Sequence, residues 1–480
     1  MGSKITNGLA WSYAERILAQ AVSFIVSIVL ARLIAPEQYG VVSLVLIYIN
    51  ICNVFVTSGL GTGLVQKKDA GEQDFSSVFW VSLALGLVLY GIIFLASPLI
   101  ASFYDYEDLS AILRVLGLRI VIASVNSIQH AYVSRKMIFR KFFFSTLFGT
   151  VISAVVGIAL ARHGFGAWAL VAQYLTNTLI DTVVLFIVLP WRPKFEFCAQ
   201  RVRYFVSYGW KIMASSFLDS VFANLRSFII GSRYSSSDLA YYNKGLQIPN
   251  LIVTNANSSL TRVLFPALSR VQESKAQMRL LVRKAVNLSA YLLSPILVGL
   301  IVIAKPLITL ILTERWLLSV PFLQIFAASY LFMPMHAINA EAIKATGRSD
   351  LTLKIEIVKK VVGIALIAVS ILFVDTPIAV ALSFLAYSLI VLVINALPGK
   401  QLYDYGWLLQ LLDVLKPLGV SAAMAALTWP LSKLIHSPAL LIAAQIAAGA
   451  VFYLITTRLL RFEALGILSH KAKSLLHRRK

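Results

Sequence analysis

Charge is what this chain has little of. Only 13% of its 480 residues are Asp, Glu, Lys or Arg, against about 25% in soluble domains, which excludes a soluble globular protein. Acids are the scarcer sign, with 21 Asp and Glu against 43 Lys and Arg, for a net charge of +22. Cysteine is nearly absent. Cys52 falls in an apolar segment and Cys198 in a basic loop, so no disulfide framework is expected. No CxxC or His/Cys cluster suggests zinc or redox chemistry, and no metal or cofactor site is assigned. Gly166, Gly231 and Gly347 belong to no GxxxxGK[ST] loop, which excludes ATP as the direct energy source. No long polar connection suggests an extramembrane catalytic domain, so an enzyme is not expected.

What is there is hydrophobic: 59% of the residues. Runs such as 79–102, 351–374 and 439–460 suffice to cross about 30 Å of hydrocarbon. The first run carries Glu15 and Arg16 with no small-residue cleavage site after it, so it is expected to stay as a membrane helix. Fourteen spans are predicted, near 8–33, 40–64, 77–102, 109–132, 143–162, 165–190, 208–232, 241–266, 286–312, 319–344, 351–374, 376–398, 413–434 and 438–460. Alternate connections collect the cations: Lys67 and Lys68, then Arg135, Lys136, Arg140 and Lys141, then Arg192, Lys194, Arg201 and Arg203. Arg270, Lys275, Arg279, Arg283 and Lys284 follow, then Arg348, Lys400 and the 461–480 tail. The other connections carry few cations and acids such as Asp105, Asp108 and Asp375. This alternation places both termini in the cytoplasm by the positive-inside rule.

A pattern occurs twice. Leu30-Ala31-Arg32-Leu33-Ile34-Ala35-Pro36-Glu37-Gln38-Tyr39-Gly40 and Ile230-Gly231-Ser232-Arg233-Tyr234-Ser235-Ser236-Ser237-Asp238-Leu239-Ala240 each end one apolar run, turn, and open the next. Both runs start inside, so the halves are read as parallel repeats with a pathway at their seam. The expected organisation is a six-helix bundle over 1–190, a basic amphipathic cytoplasmic linker over 191–207, and a second six-helix bundle over 208–400. Helices 13 and 14 follow over 401–460 as lipid-facing additions, then a basic cytoplasmic tail over 461–480. The fold class is an all-α integral membrane protein.

Five stretches in register resemble one family. They are Ala31 to Gly40, Gly164-Phe165-Gly166-Ala167-Trp168-Ala169-Leu170, Val263-Leu264-Phe265-Pro266-Ala267-Leu268-Ser269-Arg270, Glu314-Arg315-Trp316 with Pro321-Phe322-Leu323-Gln324-Ile325, and Ala345-Thr346-Gly347-Arg348-Ser349-Asp350. Over roughly residues 8 to 400 the chain resembles the polysaccharide transporter family. That family belongs to the exporter superfamily (MOP) that also holds the multidrug MATE exporters, the Wzx O-antigen flippases and the lipid II flippase. At Tyr241-Tyr242-Asn243-Lys244 the chain departs from the more usual Tyr-Tyr-Ser-Arg but keeps the positive charge. The resemblance implies a MATE-like fold and a bacterial inner-membrane flippase. It also implies a sugar repeat unit linked by pyrophosphate to undecaprenol as cargo, and polymerase or glycosyltransferase partners.

Charges placed in the bilayer need a partner or a wet cavity. Arg16, Arg119, Arg226 and Lys244 are candidates for a pyrophosphate headgroup, because guanidinium forks match phosphate oxygens and stay charged. A structural reading stands beside it: the arginines pair with Glu15, Asp219 or helix-end carbonyls, and Lys244, Arg114 and Arg262 snorkel from span ends. Glu15, Asp181, Asp219 and Glu341 are candidates for coupling to Na+ or H+, or for fixed counter-ions. Glu341 and Lys344 share a helix face, three residues apart. Pro249 is expected to break or kink its helix, and Asn250, Asn255 and Asn257 either line a sugar-accepting cavity or bond between helices. Trp11, Trp80, Trp191, Trp210 and Trp316 are expected as interfacial anchors. Two other readings are weighed. A cation-coupled multidrug exporter would want an acidic interior, and a membrane glycosyltransferase or polymerase would want catalytic acids or a large outer loop.

Overall fold

A computed structural model of the chain describes residues 2–106 and 108–466, with side chains from residue 18 onward. The regular elements are all helical, and the described residues hold no strand. A buried backbone in lipid must satisfy its own polar groups, and a helix does so within one segment. In chain order come α1 (Gly2–Leu33), α2 (Pro36–Thr57), α3 (Leu60–Gln66), α4 (Glu72–Tyr104), α5 (Leu109–Lys136), α6 (Phe139–Arg162), α7 (Ala167–Val188), α8 (Ala199–Arg233) and α9 (Ser236–Ser269). Next are α10 (Lys275–Ile311), a 3₁₀ turn (Glu314–Ser319), α11 (Val320–Tyr330), α12 (Met333–Ala345), α13 (Ser349–Phe373) and α14 (Pro377–Ala396). The last are α15 (Gly399–Tyr403), α16 (Trp407–Thr428), α17 (Leu431–Leu434) and α18 (Pro438–Leu459).

A helix lies at every expected apolar run, and some runs are broken. Gly59, at φ +91°, separates α2 from α3 inside the run 40–64, a conformation that glycine adopts without strain. Among the described residues ten helices are long and apolar enough to cross a membrane. The remaining long helices α8, α9 and α13 are diluted by charges such as Arg226, Lys244 and Lys359, and side chains are described for only part of α1. The chain is a multi-pass membrane protein.

Packing divides the chain into residues 1–240 and 241–480. The expected boundary at the linker follows the repeat; the packing boundary falls 33 residues after the end of that linker because α8 lies along α2 and α3. The two run antiparallel. Buried Phe205 meets Gly63, Gly209 meets Gly59, Phe217 meets Phe55 with ring centroids 5.2 Å apart, and Phe228 meets Tyr48 at 6.2 Å. At the far end the two copies of the repeated pattern touch each other. A Cβ on Gly40 would sit 1.8 Å from the Ser236 carbonyl oxygen, and one on Gly231 would sit 2.1 Å from a Leu44 methyl carbon.

Residues 189–198, between α7 and α8, are a non-helical strap laid on the start of α4. Ser76 Oγ accepts from the Lys194 amide and Ser77 Oγ from the Cys198 amide, both at 3.1 Å. Trp80 Nε1 donates to the Lys194 carbonyl at 2.9 Å, and its ring stacks on Phe195 at 4.9 Å. Lys194 pairs with Glu72 at 2.8 Å and Arg201 with Asp74 at 3.2 Å. The expected linker 191–207 thus consists of this strap and the first turns of α8. Trp191 is not an interfacial anchor: it is buried against Phe75, Phe79 and Tyr132. Trp316 is likewise fully buried, under Tyr241.

In the second unit α10 is the axis. The helices α16 and α18, expected as lipid-facing additions, pack one face on it through Val420, Met424, Tyr453 and Tyr291. Beside them a buried amide pair ties α12 to α16. Asn339 and Gln410 exchange hydrogen bonds of 2.7 and 3.0 Å, and Tyr403 donates to Asn339 Oδ1 at 2.7 Å. Residues 467–480 of the expected basic tail lie outside the described residues.

The Gly40 contact is with backbone, which cannot turn aside as a side chain would. Gly40→Ala is therefore expected to cost about 1–3 kcal/mol by overpacking, read as a lower unfolding temperature of the detergent-purified protein. An unchanged unfolding temperature would show that α2 and the start of α9 have room to separate.

Candidate functional site

Three constellations of side chains are candidates for a functional site, one in residues 1–240 and two in residues 241–480. The first is a polar ladder between α5 and α7. Arg119 Nε donates to Thr178 Oγ1 at 3.2 Å, and its guanidinium lies 5.6 Å from the Tyr174 ring centre. Two turns further along α5, Asn126 Nδ2 donates to Asp181 Oδ2 at 3.0 Å and to Thr182 Oγ1 at 3.1 Å. His130 Nε2 is 3.1 Å from the same Asp181 oxygen, and Gln129 donates to the Thr182 carbonyl at 3.3 Å. Residues 119, 126 and 130 share one face of α5, and 174, 178, 181 and 182 share one face of α7.

The ladder brings together two of the expected site residues, Arg119 and Asp181, and adds His130, Asn126, Thr178 and Tyr174. The sequence holds one signal for these: Asn126 and His130 are four apart in an otherwise apolar run. Their common partner lies about 50 residues away and could not be read from spacing. Interhelical polar contacts in membranes contribute about 0.6 kcal/mol each on average. An ionised carboxylate at mid-bilayer costs about 2.5–3.5 kcal/mol. Neutral Asn and Thr pairs would hold α5 to α7 at lower cost than Asp181, whose side chain is 14% exposed.

On α8, Arg226 is buried at 5% exposure, whereas Asp219, seven residues earlier, is exposed. Burial of a guanidinium in lipid needs polar surroundings. The side chains of Glu15 and Arg16, in α1, lie outside the described residues.

The second constellation starts on α9. Lys244 does not snorkel: it is 5% exposed, 5.8 Å from the Trp316 ring centre, and donates to Gln247 Oε1 at 3.4 Å. The close turn above it rests on Gly245, where a Cβ would lie 2.5 Å from Phe322 Cβ. The helix α9 runs unbroken through Pro249, so no helix break forms there. Asn250 Oδ1 accepts from Tyr330 and Thr254, both at 3.0 Å, and Asn255 Nδ2 donates back to the Leu251 carbonyl at 2.9 Å. Of these asparagines, Asn257 lines a cavity of about 290 Å³ with Tyr330, His336, Lys359 and Tyr387. His336 bonds the Ser388 carbonyl at 3.0 Å. Glu341 is paired with Lys344 at 2.9 Å along its own helix.

The third is apolar. A cavity of about 510 Å³ runs along α10, α16 and α18, lined by residues such as Leu292, Ile296, Gly299, Met424, Gly449 and Leu454. Its long hydrocarbon wall suits an alkyl or isoprenoid chain more than a polar ligand. No group of three or more His, Cys, Asp or Glu side chains gathers in metal-binding geometry among the described residues.

Comparison with known proteins places the chain. Over 84% of each chain it is 26% identical to the teichuronic acid biosynthesis protein TuaB of Bacillus subtilis (strain 168). It is 26% identical to the succinoglycan biosynthesis transport protein ExoT of Rhizobium meliloti (strain 1021), over 68% of this chain and 66% of that one. It is 22% identical to the lipopolysaccharide biosynthesis protein WzxC of Escherichia coli (strain K12), over 74% and 73%. Among solved structures, the lipid II flippase MurJ in an inward closed conformation superposes with a TM-score of 0.75 at 14% identity, covering 94% of this chain and 99% of that one. An inward-facing multidrug MATE transporter of the MOP superfamily superposes at 0.60 and 12% identity, covering 84% and 96%. The fold is therefore of the MurJ and MATE type. The sequence model of the family described as polysaccharide biosynthesis protein matches residues 29–321, more than half of the chain, and the chain belongs to that family.

Proposed function

We propose that this protein is a flippase for polyprenyl-pyrophosphate-linked oligosaccharide repeat units, carrying them from the cytoplasmic to the outer face of the bacterial inner membrane. In this reading it has fourteen membrane helices in two parallel repeats, both termini in the cytoplasm, and works by alternating access without catalysing a covalent step. The observation that carries the reading is the burial of two cations, Arg226 on α8 and Lys244 on α9, on either side of the turn at 234–235. Buried cations suit a pyrophosphate and disfavour the cationic substrates of a drug exporter. The names of the relatives, which concern teichuronic acid, succinoglycan and lipopolysaccharide, point to the same class of cargo.

The remaining constellations divide the other tasks. The apolar cavity on α10, α16 and α18 takes part of the polyprenyl chain. The Asp181–His130 pair couples movement to protons. Asn126 Nδ2 donates to Asp181 Oδ2, and His130 Nε2 lies 3.1 Å from the same oxygen. That setting suits a shared proton, whereas a hard metal cation requires several oxygen ligands. Arg16 and Arg119 extend the headgroup path, and Glu15 and Asp219 serve as counter-ions along it.

In a strain lacking the protein, the undecaprenyl-linked repeat unit is expected to accumulate on the cytoplasmic face. Wild type restores export, whereas Arg226→Ala, although inserted at normal level, restores less than about a tenth, since losing a charge-assisted phosphate contact costs about 1.5–3 kcal/mol. Full export by the inserted variant would remove the headgroup assignment. For coupling, Asp181→Asn keeps the shape of the ladder and is expected to leave flipping insensitive to an imposed proton gradient. A variant that still responds as wild type places the coupling elsewhere. For the tail, Gly299→Leu has room at the site, where the nearest atom to an added Cβ is 3.8 Å away. It should slow transport of full-length polyprenyl cargo more than that of a short-chain analogue, and equal effects on both would contradict a tail cavity.

A further inference from the structure

At one end of α10, before the apolar cavity begins, the second unit holds a cationic shelf that none of the transport steps above uses. Two adjoining cavities of about 490 and 280 Å³ share Arg283, Asp413 and Lys416. Arg279 lines the first, and Arg461 and Glu463 line the second. Arg283 and Asp413 satisfy each other: Nε and Nη2 donate to the two carboxylate oxygens at 2.9 and 3.2 Å, and Tyr405 donates to the same carboxylate at 2.8 Å. That pair forms a fixed post between α10 and α16. Arg279 and Lys416 line the same cavity as this pair, both exposed, and neither makes an ion pair or hydrogen bond among the described residues.

The apolar side of the shelf is as informative as the charged side. Leu409, Leu412 and Leu415 line the first cavity and are each exposed at 44–53%. On α16 these leucines stand next to Lys416, so the opening presents cations at one rim and hydrocarbon at the other. The cations lie within about three turns of the starts of α10 and α16, a depth from which long side chains reach the headgroup layer. A water-exposed protein partner would not select exposed leucines beside the cations. A free inorganic anion would gain nothing from them.

We propose that this shelf binds one anionic phospholipid of the adjacent leaflet, its phosphate between Arg279 and Lys416 and its acyl chains along Leu409, Leu412 and Leu415. Basic pockets between helices at the cytoplasmic interface recognise such headgroups, with each Lys or Arg contributing about 1 kcal/mol. The bound lipid bridges α10, α16 and, through Arg461, the end of α18. It thereby fixes the helix pair beside the apolar cavity. The site requires only that the shelf faces a leaflet, so it stands whether or not the cargo is a lipid-linked oligosaccharide.

The test is lipid binding to the purified full-length protein in neutral detergent, read by native mass spectrometry and by the shift in unfolding temperature. Phosphatidylglycerol in mixed micelles should bind and protect, and phosphatidylcholine should not. The double variant Arg279→Gln, Lys416→Gln should bind phosphatidylglycerol about thirtyfold more weakly, while the pair Arg279→Lys, Lys416→Arg retains it. If the double variant does not fold, Arg279→Gln alone should weaken binding about fivefold. Equal protection by phosphatidylcholine, equal protection by inorganic phosphate, or wild-type binding by the Gln variants would each overturn the proposal.

Discussion

The close approach of α2 and the turn after it to α8 and the start of α9 is the constraint on which the first unit depends. Gly40 lies against the Ser236 backbone that opens α9, Gly59 against Gly209 of α8, and Gly231 of α8 against Leu44 of α2, each so closely that a single added carbon would overlap a neighbouring atom. Membrane helices gain little from hydrophobic burial against one another, because lipid is as apolar as leucine, so close packing of small residues supplies the association. The consequence reaches the chemistry. With α8 laid against α2 along its length, Arg226 is held inside while Asp219 is left at the surface. The strap over residues 189–198 then anchors the start of α8 to α4 through Ser76, Ser77 and Trp80. The repeated pattern marks the place where the chain meets its own copy.

A second constraint is the cost of polarity in lipid, which sorts the polar groups into two kinds. Asn339, Gln410 and Tyr403 saturate one another and are accounted for by helix pairing. Asp181 and Lys244 cost more than such pairing returns, and both sit among groups that can engage a charged visitor: imidazole and amide around the carboxylate, indole and amide around the ammonium. The polar and apolar constellations therefore lie in separate places. Cations and a carboxylate ladder lie on α5, α7, α8 and α9, and the hydrocarbon cavity with its cationic shelf lies along α10, α16 and α18.

Helix positions were legible in the sequence because hydropathy is a local property. The runs at 77–102, 109–132 and 438–460 coincide with α4, α5 and α18 to within a few residues. The family was legible too, from five stretches in register. What could not be read is what depends on tertiary partners. Lys244 looked like a snorkelling residue from its position near a span end, but Trp316 folds over it. Trp191 and Trp316 have the sequence positions of interfacial anchors and the surroundings of core residues. Pro249 promised a break or a kink, and α9 passes through it without a break because a helix tolerates one missing donor when neighbouring segments hold it. His130 gave almost no signal, since its meaning comes from Asp181 on another helix.

The central claim, that the cargo is a lipid carrying a pyrophosphate-linked sugar, is tested most directly by reconstitution. The purified protein is placed in liposomes holding a polyprenyl-pyrophosphate-linked oligosaccharide in the inner leaflet, and arrival of the sugar at the outer face is followed by its accessibility to an added glycosidase. Protein-dependent exposure of the sugar, with no movement of cationic dyes, is the result expected. Dye movement without any transfer of the lipid-linked sugar would contradict the account.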